Sequence, residues 1–507
     1  EGGSTFKKRI LDDIGDQDIV SELINKRSDS EFLDLMANLG GHCVQTLIKV
    51  FEKVKDDKPT AFIAYTIKGW GTPLAGHKDN HAGLMTKAQM NSFKLKYGIS
   101  DGNEWNRFSD EKNNVELDKY IKNLPFQKAK HRKYQSKKVS VDENVFIKET
   151  KISTQNAFGK ILDQYAKNNT DFSQRILTTS PDVSVSTNLG PWINRKGLFS
   201  RKDSPDTFKD RKIPSAQKWI FSSQGQHIEL GIAEMNLFLM LGAAGLSHEF
   251  FGERLFPIGT VYDPFISRGL DAMNYACYQD ARFMIVGTPS GISLAPEGGA
   301  HQSIGTPLIG ISQPGLLSFE PAFADELALI MNYGFNYLQD EAGGSIYLRL
   351  TTRSIDQPMR EIDNELKNNI IKGGYWLKKP GPNPEVIIVY QGAVAIEALE
   401  STALLGEKFK NSGVLSITSS DKLFHEWKNQ NSTSHIELLL ECVPRDTRII
   451  TVIDGHPMTL SWIGSINGHK TIPLGVSSFG QTGKVEDLFK EFTIDSQSIS
   501  NLGFSFN

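Results

Sequence analysis

QHIELGIAEMNLFLMLGAAGLS at 226–247, PIGTVYDPF at 257–265 and TPSGISLAPEGGAHQSIG at 288–305 are the three pieces whose reading decides the fold. In the first, Ile232, Met235, Leu239 and Ala243 recur at helical spacing and both flanks are apolar too, which predicts a buried helix. A single acid, Glu234, stands in this apolar run. Burying a carboxylate is costly unless something pairs or uses it. Glu234 is therefore a salt-bridged glutamate, a helix-end glutamate or a working group.

The company Glu234 keeps favours the working group. A strand-like run at 255–261 is followed by two aromatics three apart, Tyr262 and Phe265, and then by a helical pattern at 267–278. A buried strand at 282–287 leads into a Gly-rich loop that ends in His301. This order resembles the pyrimidine-binding domain of the transketolase family of thiamine-diphosphate enzymes. That family includes transketolase, deoxyxylulose-phosphate synthase and the decarboxylating first component of the pyruvate dehydrogenase complex. IELGIAEMN resembles the family's catalytic-glutamate helix, YDPF its aromatic pocket and APEGGAHQS its histidine loop. The fold class so implied is α/β, with tandem parallel or mixed-sheet domains of the transketolase-like thiamine-diphosphate fold.

Length and charge set the outer bounds. With 507 residues the chain has room for about three domains. Its 56 basic and 59 acidic residues nearly cancel, which points away from nucleic acid and from an anionic membrane. The longest apolar run, 237–246, is half the roughly 20 residues a membrane helix needs. Cys43, Cys277 and Cys442 are far apart and lack metal-ligand spacing, as expected of a protein in a reducing, cytoplasmic compartment.

Along the chain, Val44, Leu47, Val50, Phe51 and Val54 predict an amphipathic helix, and AFIAYTI at 61–67 a buried strand of a parallel sheet. The loop KGWGTPLAGHKDNHAGLM follows, with His77 and His81 four apart and Asp79 between them. A metal pair there lacks an evident third ligand. TIKGWGTPLAGHKDNHAGL resembles the end of the family's diphosphate-binding domain, which implies a substrate-facing role for His81 and for its neighbour His77. Residues 1–100 are so expected to be the C-terminal part of that domain. Residues 101–150 form a polar linker with a basic run at 128–138, 151–355 the pyrimidine-binding domain, and 380–507, after KKPGPNP, a transketolase-type C-terminal domain. Strands at 386–390, 413–417 and 448–453 alternate with helices such as 393–409, another βαβ pattern. No GDG occurs in the sequence, so the Mg²⁺ ligands of the family are expected upstream of this chain.

The resemblance implies thiamine diphosphate and Mg²⁺ as cofactors, with a carbanion at cofactor C2 as the reactive species. Glu234 would drive its formation as acid–base partner of the pyrimidine, Tyr262 and Phe265 would wall the ring, and Asp182 and Glu297 would complete the cofactor-binding set. His81 and His301 would hydrogen-bond the substrate and move protons. A homodimer is implied, with a lipoyl acyltransferase component as a further partner. The substrate expected is a 2-oxo acid, pyruvate or 2-oxobutyrate. Lys151, Ser186 and Arg353 fall near transketolase's phosphate-binding positions and Pro289 where transketolase has a histidine, so a phosphosugar is the alternative. A non-catalytic or split-subunit fragment is the third reading.

Overall fold

The structure, a computed structural model, describes residues 2–15, 18–56, 58–106, 114–124, 127, 136–143, 145–202, 210–212, 217–429 and 432–505. The chain divides into two compact units, Glu1–Gln127 and Lys128–Asn507. Most of the basic run at 128–138 lies outside the described residues.

The described part of the first unit is helical: Gly3–Ile14, Asp18–Asn25, Asp29–Ala37, Val44–Phe51, Lys87–Lys96 and Asn114–Asn123. Ser28 and Thr86 open two of these helices with reciprocal capping boxes to Glu31 and Gln89, satisfying backbone donors that the first turn leaves bare. One expectation fails here. The segment 61–67 forms no strand, and Ile63 is 99% exposed. A run apolar on both faces needs neighbouring strands. Among the described residues of this unit none lies beside it, and its Ile67 N–H donates instead to His42 Nε2 at 2.8 Å. The helix Val44–Phe51 forms as expected, yet none of its residues is buried. The stretch read as linker also contains the helix Asn114–Asn123.

The second unit carries fifteen strands among its described residues: β1 (Lys151–Ile152), β2 (Ile176–Ser180), β3 (Leu198–Phe199), β4 (Phe221–Ser222), β5 (His227–Glu229), β6 (Phe256–Val261), β7 (Met284–Gly287), β8 (Leu316–Phe319), β9 (Ser345–Arg349), β10 (Ile355–Asp356), β11 (Gly374–Lys378), β12 (Val386–Gln391), β13 (Gly413–Ile417), β14 (Arg448–Ile453) and β15 (Thr471–Leu474). Eight form a parallel sheet in the order β4-β3-β5-β2-β6-β7-β9-β8. Five form a second sheet, β11-β13-β12-β14-β15, parallel except for β11. β1 and β10 pair antiparallel.

The central strands of both sheets are buried on both faces, which is why they read as continuous apolar runs. Alternation still sorts the side chains: Met284 and Val286 enter one core while Phe283 and Ile285 enter the opposite one. Ile388 and Tyr390 are separated from Ile387 and Val389 in the same way. Ser153 N-caps Thr154–Asn168 through the Asn156 N–H at 3.1 Å, and that helix buries Phe158, Ile161, Leu162 and Tyr165. Val139, Val141 and Val145 belong to the same core, so packed structure starts ahead of residue 151.

The helix Glu234–Gly245 buries a different face from the one its periodicity suggested. Leu237, Phe238 and Leu241 enter the core, whereas Ile232 is 80% exposed, Leu239 is 58% exposed, and Met235 and Ala243 also face outward. Gly259 lets this helix lie close, since a Cβ there would stand 2.6 Å from Leu241 Cδ1.

Candidate active site

Ligands of open α/β sheets bind beyond the carboxyl ends of the parallel strands. On the eight-stranded sheet that edge carries Asp182 after β2, Glu234 after β5, Tyr262 and Phe265 after β6, His301 after β7 and Arg349 at the end of β9. Four of the expected residues come together there in one chain of contacts. The Glu234 carboxylate accepts a hydrogen bond from Arg268 Nη1. The Arg268 guanidinium lies over the Phe265 ring at 3.8 Å. Phe265 stacks with Tyr262, centroids 5.8 Å apart at 20°, and meets His301 edge-on at 5.4 Å.

Glu234 is not a mid-helix acid. It is the first residue of its helix, where the helix dipole favours a carboxylate, and it is salt-bridged, with 11% of its side chain exposed. Both ordinary explanations for a buried acid thus hold. Arg268 was missed because an arginine in a polar helical stretch gives no sign of its partner 34 residues away.

Asp182 is exposed in a left-handed turn, φ 64°, and its N–H donates to Glu229 Oε1 at 2.8 Å. Burial alone would raise the Glu229 carboxyl. Hydrogen bonds from His227, Ser184 and the Asp182 N–H outweigh that and hold it below the usual range. Glu229 therefore sets the Asp182 turn, a role that its place in IELGIAE did not reveal. Glu297 ends the 3₁₀ helix Gly291–Glu297 and is exposed, outside the Glu234–His301 contact chain.

Asp263, between the two aromatics, is fully buried and is the most heavily bonded acid of the site. It accepts from Ser303, Tyr347, Thr306 Oγ1 at 2.6 Å and Arg349 Nε at 3.0 Å. Burial would lower the Arg349 guanidinium, but Glu320, Asp263 and Asp454 raise it, so Arg349 is a permanent cation. Arg353, expected near a phosphate site, is engaged instead with both Glu397 oxygens, at 2.7 and 2.5 Å. Ser186 Oγ donates to Val183 O at 3.2 Å, and Lys151 lies in β1.

In the first unit, His77 and His81 are exposed. His77 Nδ1 accepts from the Asp79 N–H at 3.1 Å, and Lys68 Nζ lies 2.9 Å from His81 Nδ1. A lysine donating there leaves the His81 ring proton on Nε2.

Thiamine diphosphate, the group the resemblance implies, has two ends to accommodate. The pyrimidine end fits: a half-buried aromatic pair stands beside a nearly buried carboxyl, with a histidine against the same ring. The metal-bound diphosphate end finds no holder, because no group of three His, Cys, Asp or Glu among the described residues could ligate a metal ion.

Known proteins resemble the chain in its middle and C-terminal regions. Residues 136–358 match the pyruvate dehydrogenase E1 component middle domain, and residues 373–495 the transketolase-like C-terminal domain. The pyruvate dehydrogenase E1 component of Escherichia coli (strain K12) is 23% identical over 505 residues, covering 91% of this chain and 55% of that protein. The one from Buchnera aphidicola subsp. Schizaphis graminum is 26% identical over 380 residues, covering 70% and 42%. The chain so spans about half the length of the curated relatives it matches. Among solved structures, transketolase from Leishmania mexicana superposes with a TM-score of 0.68 at 18% identity, over 91% of this chain and 64% of that one. Transketolase from Campylobacter jejuni gives 0.63 at 18% identity, over 91% and 65%. At such identity these structures speak to the fold alone. The matched domains make the chain similar to the E1 component of pyruvate dehydrogenase over its middle and C-terminal regions, and its fold is transketolase-like.

Proposed function

We propose that this chain serves in a thiamine-diphosphate-dependent 2-oxo-acid dehydrogenase first component, decarboxylating pyruvate or 2-oxobutyrate. The observation that carries the reading is the Glu234 carboxyl, nearly buried beside the Tyr262–Phe265–His301 wall at the ligand edge of a parallel sheet. When bound, thiamine diphosphate supplies a carbanion that adds to the substrate carbonyl and an electron sink for the pair released on decarboxylation. Glu234 holds and returns the proton at the pyrimidine ring nitrogen. Tyr262 and Phe265 present an apolar wall that excludes water from the ring, and the Glu229-held turn offers Asp182 to the same edge. His301, against Phe265, donates to the substrate carboxylate or carbonyl. Mg²⁺ would be held by residues other than those described.

The face of Ile232, Met235 and Leu239 is assigned to a second copy of the chain, making the protein a homodimer. A cytoplasmic setting and a lipoyl acyltransferase partner follow from the same reading. A phosphosugar substrate is disfavoured, because Arg353, the cation expected on its phosphate, is held by Glu397.

The test is an assay of the complete protein with Mg²⁺ and thiamine diphosphate. Pyruvate or 2-oxobutyrate should reduce an artificial electron acceptor. Xylulose 5-phosphate with ribose 5-phosphate should give no ketol transfer. Robust ketol transfer without oxo-acid turnover would overturn the reading in favour of transketolase, and neither activity in favour of a non-catalytic subunit.

A further inference from the structure

In the five-stranded sheet β12 has β13 on one side and β14 on the other. This is a topological switch point, and its crevice opens between the carboxyl ends of β12 and β14, where doubly wound sheets receive a ligand. Here the crevice receives another part of the same chain. Gln391, the last residue of β12, donates from Nε2 to Glu320 Oε2 at 2.9 Å. Asp454, which follows β14, accepts the Ile292 N–H on its two oxygens at 3.0 and 3.1 Å. Both side chains are buried. Glycines make the approach possible. A Cβ on Gly392 would stand 2.3 Å from Glu320 Oε1, and one on Gly291, whose φ is +58°, 2.3 Å from Asp454 Oδ2.

The hold continues along the loop. His456 N–H donates to Ile304 O at 2.9 Å, and Gln302 Nε2 to Gln481 O at 2.8 Å. It also runs inward. Glu320 accepts from Arg349 Nη1, and Arg349 reaches Asp263 Oδ2 at 3.0 Å and Ser303 Oγ at 3.2 Å. Asp263 lies between Tyr262 and Phe265, and Ser303 lies two residues past His301. Two buried carboxylates, Asp263 and Glu320, share the Arg349 guanidinium and tolerate few other arrangements, since either left unpaired is expensive.

We propose that the switch-point crevice of the C-terminal layer is a receptor for the 288–306 loop, and that Asp454 and Gln391 are positioning residues for His301 and the Tyr262–Phe265 wall. The clamp stands on geometry alone, and only its bearing on turnover rests on the function proposed above.

Hydrogen exchange of the full chain, read by mass spectrometry without cofactor, tests it. Asp454→Ala should speed exchange across 288–306 by about tenfold or more while leaving 386–391 unchanged. Asp454→Asn, which keeps an acceptor for the Ile292 N–H, should stay within about threefold of wild type. Should Asp454→Ala not fold, Gln391→Met, which removes only the amide donor to Glu320, should show the same local pattern. Unchanged loop exchange, or acceleration spread equally over 386–391, overturns the receptor. Oxo-acid turnover lost in the alanine variant and restored in the asparagine variant links the clamp to catalysis, and turnover indifferent to both overturns that link.

Discussion

Arg353 bonds Glu397 through both terminal nitrogens, donates to Ala393 O at 2.8 Å and lies 4.8 Å from the Phe489 ring centroid. A guanidinium so engaged has no fork left for a phosphate. Arg353→Met alone should destabilise the protein by about 3 kcal/mol, because Glu397 is then buried without its cation. Adding Glu397→Leu should recover most of that loss, as read by denaturant midpoints, with oxo-acid turnover little changed in the double variant. A turnover collapse in both would mean that Arg353 touches substrate. The sequence alone brought Arg353 forward as a phosphate ligand because spacing shows which residue is present and not which neighbour has taken it. Glu234, Tyr262, Phe265 and His301 were legible because each sits just past a strand in a recognisable motif. Arg268 and Glu229 were not, since their roles are contacts, with Glu234 and with the Asp182 N–H.

At the level of elements, strands were read more reliably than helix faces. β12, β13 and β14 lie where their β-branched runs predicted them, within a residue. The helix Glu234–Gly245 is apolar on nearly every side, so periodicity could not tell the core face from the outward one. Leu237, Phe238 and Leu241 took the core because Gly259 and Gly269 open space beneath them. That division is testable. Leu237→Ala should cost about 2–5 kcal/mol as a core truncation. Leu239→Glu should change monomer stability by about 0.5 kcal/mol or less yet shift sedimentation from dimer to monomer. An unshifted sedimentation profile would remove this face from the subunit contact. The segment 61–67 teaches the complementary lesson: an apolar run shows that a residue set can form a strand, but only a neighbouring strand makes it one.

For the whole molecule, acid is the informative variable. His248 is buried, and burial together with Arg254 and Arg282 lowers its imidazole to about 4, against a Gly245 O contact at 3.1 Å that opposes the shift. The unfolded imidazole titrates near 6.5, so on acidification the unfolded chain takes the proton first. Stability from this group is full above pH 6.5 and is lost as pH falls to about 4. His248→Asn should flatten the fall in Tm over that window, by an amount on the order of 2 kcal/mol at its lower end. Equal slopes in the two proteins would assign the acid sensitivity to other groups. Buried carboxylates act at the same scale: Glu320 with Gln391 and Asp454 with the Ile292 N–H tie the two sheets of the second unit together, and Arg349 links Glu320 to Asp263.

The central claim is that Glu234 is the acid–base partner of a bound thiamine diphosphate, and exchange of the cofactor's C2 proton for deuterium, followed by NMR, measures that step without reference to any substrate. In the complete protein, Glu234→Gln should slow this exchange by about 10²-fold or more while thermal unfolding stays cooperative. Exchange at the wild-type rate in a folded Glu234→Gln protein would contradict the assignment.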